Sequence, residues 1–338
     1  MSWVNRLLQP KVLLPVLLSA AALATAFSIS NIGEVWNYVS RLSIPVMGIV
    51  FGLALFYLVV KWLLFHYLLR KSRVRATMRQ SGVAYIVGEM AVPVPAGVYL
   101  ENYVLGSIGS SATRSAGTTT AMLIAELLVC LAALVIVGVP GWWWLRPAVG
   151  ILLSISTLLV AAFVLIEPLR DFGERVLDTG PIRVMHKGIL EALEGIEDLA
   201  NLEAVAFGVP AVVLYMLALV AAYQFVGHAV GVERLTFAQA LSIYFFSLAV
   251  TEMLPISVNL GIVELSGIGA AQAWGYSYSE GLAMMLGTRL VWTGAIWLIG
   301  AFTLLLLRDE FSRWNRGEQR QREDRDVEAR RSGEHRAA

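Results

Sequence analysis

Six ionisable side chains lie within long apolar parts of the sequence, where they could bind a charged ligand or exchange protons. Five are acids and one is a base: Glu89, Glu101, Glu126, Glu252, Glu264 and Arg289. A charge inside a membrane segment costs about 2.5–3.5 kcal/mol on insertion scales, so each is a candidate functional residue. The five carboxylates cannot all be ionised beside one arginine. Some are therefore expected to be protonated, as a proton-coupled carrier would require.

These residues recur at a constant offset of 163 positions. The pair Glu89-Met90 recurs as Glu252-Met253, and Glu101 recurs as Glu264. The position equivalent to Glu126 is occupied by Arg289. Helix-breaking residues lie at matched places in the two halves: Pro93, Pro95 and Gly97, then Pro255, Asn259 and Gly261. The repeat covers residues 43–139 and 206–302. Many transporters build a binding site at the bilayer midplane from such duplicated, broken segments.

The elements that must position these groups are membrane helices. Of 338 residues, 57% are hydrophobic and 15% charged, and the mean hydropathy is +0.68. This composition is more apolar than that of an ordinary soluble domain. Six stretches have the roughly 20 apolar residues that a spanning helix needs: 12–30, 43–65, 117–139, 147–166, 204–229 and 280–307. We predict an all-α polytopic membrane protein. A cleaved signal peptide ending near Ala24-Thr25-Ala26 is the alternative for the first span.

Two further apolar regions, 82–108 and 238–273, are too broken to span the bilayer simply. Their arms of roughly 10–14 apolar residues suit re-entrant segments, with the Pro and Gly residues facing a polar cavity. The alternative is a pair of kinked helices at the membrane interface. For Glu89 and Glu252, the alternative to a functional role is the capping of helix ends.

The distribution of Lys and Arg gives the orientation. Positive charges concentrate in residues 61–79 and in the linker 167–203, whereas the connections on the other side carry one each. Both termini are therefore predicted to be cytoplasmic, in the inner membrane of the cell, and the two halves to be inverted. The linker should lie along the cytoplasmic interface. The tail 308–338, rich in both signs of charge, is predicted to be solvated and disordered.

Signatures of soluble enzymes are missing from the sequence. It has no H-E-x-x-H, Walker A or G-x-S-x-G motif, and its four histidines do not cluster with cysteines or acids as zinc ligands would. The single cysteine, Cys130, rules out a disulfide within the chain. No metal, cofactor or nucleic acid partner is expected, and membrane lipids are the expected ligands.

Arg289 and Glu126 occupy equivalent positions deep in two predicted spans. We expect Arg289 to pair with Glu126 or Glu264 at rest, or to bind an anionic headgroup when a substrate enters. Arginine suits phosphate because its planar guanidinium donates two parallel hydrogen bonds.

Residues 254–307 resemble the membrane domain of lysylphosphatidylglycerol synthases, a family that also occurs as stand-alone flippase-like proteins. The resemblance rests on Pro255, Gly261-Ile262-Val263-Glu264, Gly275, Ser279 and Arg289. The first half is similar at Pro93, Gly97, Tyr103, Leu105 and Glu126. It departs where the family has an acid and two arginines, because this chain has Val98, Glu101 and Leu127 there. The aminoacyl-transferring domain of the full synthases is absent from this sequence.

The resemblance covers most of residues 43–307 and implies lipid translocation or partnership with lipid-modifying enzymes. The first hypothesis is a transporter of an anionic phospholipid or polyprenyl-linked lipid that performs no chemistry. The second is a scaffold or accessory subunit for lipid-modifying or lipid-glycosylating enzymes, which would act through the linker and tail. The third is an intramembrane lipid-modifying enzyme, which would change the lipid species rather than its leaflet.

Overall fold

The computed structural model describes residues 32–92, 97–165, 202–252 and 261–309, and these are helical with no strand among them. Within these ranges the structure has ten α-helices: α1 (Ile32–Val39), α2 (Ile44–Lys71), α3 (Met78–Ala91), α4 (Leu100–Ser107), α5 (Ala112–Val137), α6 (Leu145–Leu165), α7 (Leu202–Ala229), α8 (Phe237–Glu252), α9 (Ile262–Ala273) and α10 (Tyr278–Leu306). A short 3₁₀ turn, Gly97–Tyr99, precedes α4. For these residues the prediction of an all-helical fold is confirmed.

Four of the described helices, α2, α5, α7 and α10, are long and apolar enough to cross a membrane. They coincide with four of the predicted spans, and α6 coincides with a fifth, at 147–166. The first predicted span, at 12–30, lies outside the described residues. So do nearly all of the linker 167–203 and of the tail 308–338. The count of six spans therefore remains a prediction.

Local sequence fixes where the helices begin. Thr77 and Gln80 form a reciprocal capping box at the beginning of α3, with N···O distances of 3.2 and 2.9 Å. Ser277 and Glu280 do the same for α10, at 3.1 and 2.7 Å. Such caps satisfy backbone N–H groups that have no partner within the first helical turn. They set the start of the helices that carry Glu89 and Arg289.

Both broken regions fold as two short helices with an interruption between them. Helices α3 and α4 have 14 and 8 residues, and α8 and α9 have 16 and 12. None of the four is long enough to span a bilayer. Of the predicted breaking residues, Pro93, Pro95, Pro255 and Asn259 lie outside the described residues.

The two described breaking residues must be glycine, for different reasons. A Cβ at Gly97 would overlap the carbonyl oxygen of Ala91, because the backbone turns back on the end of α3. Gly261 has a φ of 90°, a conformation that residues with side chains rarely adopt. In each broken region a glycine thus lies just before the second helix begins.

The two halves pack against each other reciprocally. Helix α2 packs along its counterpart α7, α3 packs on α10, and α8 packs on α5. At the α3–α10 contact, the Trp297 indole N–H donates to the Met90 carbonyl at 3.0 Å. At the α8–α5 contact, the Ser242 hydroxyl donates to the Gly138 carbonyl at 2.5 Å. Exchanging the halves exchanges these contacts, which is the pattern that a pseudo-two-fold relation between them produces.

Candidate functional site

A cavity of about 430 Å³ lies between helices of both halves. The charged residues that line it are Lys61, Glu89, Glu126, Glu264 and Arg289. Aromatic rings form much of the remaining wall: Tyr57, Tyr99, Tyr215, Tyr244, Trp292 and Trp297. An apolar wall with a few convergent polar groups is the usual composition of a small-molecule site.

The first group of charges, here called the Lys61 cluster, consists of Lys61, Glu89, Glu126, Tyr57 and Tyr215. The Lys61 Nζ lies 2.9 Å from Glu89 Oε1 and 3.1 Å from Glu126 Oε1. It also donates a hydrogen bond to the Tyr57 hydroxyl at 2.9 Å. The side chains of Lys61, Glu89 and Glu126 are only 11%, 6% and 15% exposed. The attraction between these charges is therefore little screened by solvent.

Aromatic rings complete the Lys61 cluster. The Tyr215 hydroxyl donates to Glu126 Oε1 at 2.6 Å, the length of a strong hydrogen bond to a charged acceptor. The rings of Tyr57 and Tyr215 meet edge to face at 5.4 Å, and Trp292 packs on Tyr57 at 5.2 Å. The Lys61 Nζ lies 5.2 and 5.5 Å from the centroids of the two tyrosine rings, within cation–π range.

The second group, the Arg289 pair, consists of Arg289 and Glu264. Arg289 Nη1 lies 2.9 Å from Glu264 Oε1, but the approach is not aligned as a hydrogen bond, so opposite charge holds the two together. Glu264 Oε2 accepts the backbone N–H of Gly261 at 2.6 Å, at the beginning of α9. The helix dipole also favours a carboxylate at this position. The Glu264 side chain is 1% exposed, whereas that of Arg289 is 27% exposed.

Glu101 does not line the cavity. It is buried where α4 packs against α3 and α5, and it accepts a hydrogen bond from the Thr119 hydroxyl. The Asn102 amide donates to the same hydroxyl oxygen at 3.0 Å. A Cβ at Gly88 would lie 3.0 Å from the Glu101 Cβ, which shows how closely α3 approaches α4 here. The arrangement joins three helices and leaves this carboxylate out of the cavity wall.

The structure thus brings four of the six predicted ionisable residues to one cavity: Glu89, Glu126, Glu264 and Arg289. Of the two partners expected for Arg289, the structure shows Glu264. Glu126 lines the same cavity but pairs with Lys61. Glu252 is the last residue of α8, and its side chain lies outside the described part.

The sequence left two interpretations open for Lys61, a cavity-lining side chain or one that extends toward the headgroups, and it was not among the predicted site residues. A lysine near the predicted end of a span normally extends toward the headgroups, and the predicted span ended at residue 65. The structure continues α2 to Lys71, so Lys61 lies roughly 15 Å from the end of the helix. The apolar sequence Trp62-Leu63-Leu64-Phe65 beyond it was the signal that could have revealed this.

Within the described ranges, no group of three or more His, Cys, Asp or Glu side chains is arranged to hold a metal ion. The cavity presents charge and aromatic surface instead. Its chemistry suits the binding of a charged, amphiphilic molecule through ion pairing and ring contacts.

Comparison with known proteins agrees with the resemblance seen in the motifs. A family model described as the lysylphosphatidylglycerol synthase TM region matches residues 12–300, which is most of the chain. Searches with this chain match no curated protein and no solved structure.

Proposed function

The chain belongs to the family of the lysylphosphatidylglycerol synthase TM region, and on that premise we propose that it moves an anionic lipid between membrane leaflets. The lipid would be a phospholipid or a polyprenyl-linked lipid in the inner membrane, and it would cross without chemical change. The observation that carries the proposal is the cavity that charged residues of both halves line together.

Arg289 is the residue proposed to meet the phosphate of the headgroup. It lines the cavity and is the most exposed of the charged residues in the two groups. Its guanidinium matches two oxygens of a phosphate with parallel hydrogen bonds. Glu264 would keep the Gly261 N–H as a partner when Arg289 turns to the phosphate. The exchange therefore leaves neither group without a polar contact.

Proton coupling follows from the same exchange. Glu264 is 1% exposed, so the departure of Arg289 to the phosphate would leave a buried carboxylate without its counter-ion. We propose that a proton enters together with the substrate and compensates this buried charge. Substrate binding and proton uptake would then accompany each other.

The reciprocal packing of the halves supports alternating access. In transporters with inverted repeats, one unit rocks against the other around a fixed central site. The short pairs α3–α4 and α8–α9 would be the re-entrant segments of such a repeat. Cytoplasmic termini would place the positive connections on the inner side.

Transport by wild-type protein and by Arg289 variants tests the proposal. Protein reconstituted in liposomes is assayed for leaflet exchange of labelled anionic lipids, with and without a pH gradient. Arg289→Ala should slow exchange at least about tenfold, the value of one lost charged hydrogen bond. Arg289→Lys should keep part of the rate, because it retains the charge but loses the planar fork.

Glu203→Gln provides the control variant, since this glutamate pairs with Lys71 at 2.6 Å on the surface and is 71% exposed. Its exchange rate should equal that of the wild type. Unchanged exchange in Arg289→Ala, or no exchange of any anionic lipid by the wild type, would overturn the proposal. Deletion of the tail 308–338 tests the scaffold hypothesis. If the tail binds partner enzymes, its deletion should abolish that binding and leave lipid exchange unchanged.

A further inference from the structure

Helices α2 and α7 run in opposite directions, because the end of α2 meets the beginning of α7. Lys71 and Glu203 form an ion pair there at 2.6 Å, and the rings of Tyr67 and Phe207 lie 4.8 Å apart. Helix α3 follows α2 along the chain, and α8 follows α7. The two broken regions therefore enter the helix bundle from opposite ends.

The same two long helices, α5 and α10, support both broken regions. Helix α3 packs on α10 and α4 packs on α5, whereas α8 packs on α5 and α9 packs on α10. Both long helices also line the cavity. Each broken region thus bridges two walls of the cavity, one from each end of the bundle.

In each broken region, one short helix places a glutamate in the cavity, beside a base on a long helix. Glu89 of α3 pairs with Lys61 of α2, and Glu264 of α9 pairs with Arg289 of α10, both at 2.9 Å. Both glutamate side chains are buried, so solvent screens these ion pairs little. Opposite charge therefore holds each short helix against a wall of the cavity.

The two bases differ in how accessible they are to a ligand. Lys61 also lies 3.1 Å from Glu126 and donates to the Tyr57 hydroxyl at 2.9 Å, so each of its three N–H donors has an acceptor. Its side chain is 11% exposed, whereas that of Arg289 is 27% exposed. A phosphate in the cavity can therefore reach Arg289 more readily than Lys61.

We infer that the Arg289–Glu264 ion pair is a latch that holds the beginning of α9 against α10, and that the phosphate of a lipid headgroup opens this latch while the Lys61 cluster keeps α3 in place. The inference rests on the proposed function and identifies the part of the site that moves when substrate binds. Phosphate and Glu264 compete for the same guanidinium, so the binding of one weakens the hold of the other. The far end of α9 should stay in place, because the Trp274 indole N–H donates to the Ser242 hydroxyl of α8 at 3.2 Å.

Hydrogen–deuterium exchange of the full chain in detergent tests the latch without any transport assay, because amide protons exchange when a helix opens locally. Arg289→Ala should raise the exchange rates at the beginning of α9, residues 262–268, at least about tenfold, as expected for the loss of one charged contact. The rates in α3 should stay within about twofold of those of the wild type, since distant sites act independently. Arg289→Lys should keep most of the protection of α9, because it retains the charge.

Glu89→Gln is the matched variant for the other ion pair. It removes the charge that holds α3 and leaves Lys61 with Glu126 and the Tyr57 hydroxyl. Exchange should become faster in α3, residues 78–91, and stay unchanged in α9. Glu203→Gln at the exposed surface pair should change neither helix. Equal effects of Arg289→Ala on α3 and α9, or no effect on α9, would overturn the latch.

Opening by the ligand is measured on the wild-type protein. Hydrogen exchange is compared without lipid, with short-chain phosphatidylglycerol, and with short-chain diacylglycerol, which lacks the phosphate. Phosphatidylglycerol should speed exchange at the beginning of α9 and leave α3 unchanged, whereas diacylglycerol should change neither. Arg289→Ala should abolish the response. Unchanged or slower exchange at the beginning of α9 with phosphatidylglycerol would overturn the inference.

The two proposals fail in different ways. Selective opening of α9 by phosphatidylglycerol without leaflet exchange by the wild type would reject transport and retain the latch. Leaflet exchange that is lost in Arg289→Ala, with hydrogen exchange in α9 equal to that of the wild type, would retain transport and reject the latch.

Discussion

The two charge groups of the cavity, one built mainly from the first half and one from the second, enclose their basic residue very differently. Lys61 has two carboxylates and a hydroxyl around it and is 11% exposed. Arg289 approaches Glu264 with its Nη1 and is 27% exposed. Glu126 and Arg289, the two positions that the 163-residue offset relates, carry opposite charge. One group is thus enclosed, and the other is more accessible to a ligand.

The largest difference in stability between the two charge groups is expected when each basic residue is removed. Lys61→Met leaves Glu89 and Glu126 buried without a counter-charge, which should lower the free energy of unfolding by about 3–5 kcal/mol. Arg289→Met should cost less, because Glu264 keeps the Gly261 N–H and the end of the helix dipole. Denaturant unfolding in detergent, followed by tryptophan fluorescence, measures both values.

A triple variant provides the control for Lys61. Combining Lys61→Met with Glu89→Gln and Glu126→Gln removes every charge of the cluster and should recover most of the lost stability. Glu203→Gln at the exposed surface pair should leave stability unchanged. A greater loss in Arg289→Met than in Lys61→Met would contradict the proposed difference between the two groups.

The two break-point glycines extend the comparison to the backbone. Gly97→Ala introduces an overlap with the Ala91 carbonyl, and Gly261→Ala forces a side chain into a φ of 90°. Each should cost about 1–3 kcal/mol, by overpacking in the first case and backbone strain in the second. Gly48→Ala in α2 is the control, because nothing lies within 4 Å of the added Cβ. It should stabilise the protein by about 0.5–1 kcal/mol. If all three variants changed the free energy of unfolding equally, the backbone at Gly97 and Gly261 would not require glycine.

Tyr215 tests how far the second half contributes to the Lys61 cluster. Tyr215→Phe keeps the ring but removes the donor to Glu126, and should lower the free energy of unfolding by about 1.5 kcal/mol. Tyr223→Phe on the same helix is the matched control, because the buried Tyr223 hydroxyl has no hydrogen-bond partner among the described residues. Its removal should be neutral or slightly stabilising. Identical unfolding curves for the two variants would show that the Tyr215 hydroxyl adds nothing to the cluster.

The sequence predicts most of the helices, because long apolar runs and capping residues such as Thr77 and Ser277 are local signals. It also predicts an acidic partner for Arg289, because a buried arginine requires a nearby acid, but it does not decide between Glu126 and Glu264. The burial of Glu101 away from the cavity could not be predicted, because the sequence of α4 does not show which side of the helix faces α5. The choice for Lys61 between the cavity and the headgroups stayed open for a related reason: its depth depends on where α2 ends, and helix ends are the least certain part of such a prediction.

The reciprocal packing also bears on how the protein is made. Met90 and its hydrogen-bonding partner Trp297 are 207 residues apart, so α3 emerges from the ribosome long before α10 exists. At ordinary synthesis rates of 5–20 residues per second, the delay is roughly 10–40 s. During that time Lys61, Glu89 and Glu126 are already present on one nascent segment, and the lysine can offset part of the negative charge of the two glutamates. The most costly charges of the first half can thus enter the bilayer together, before the second half arrives to cover them.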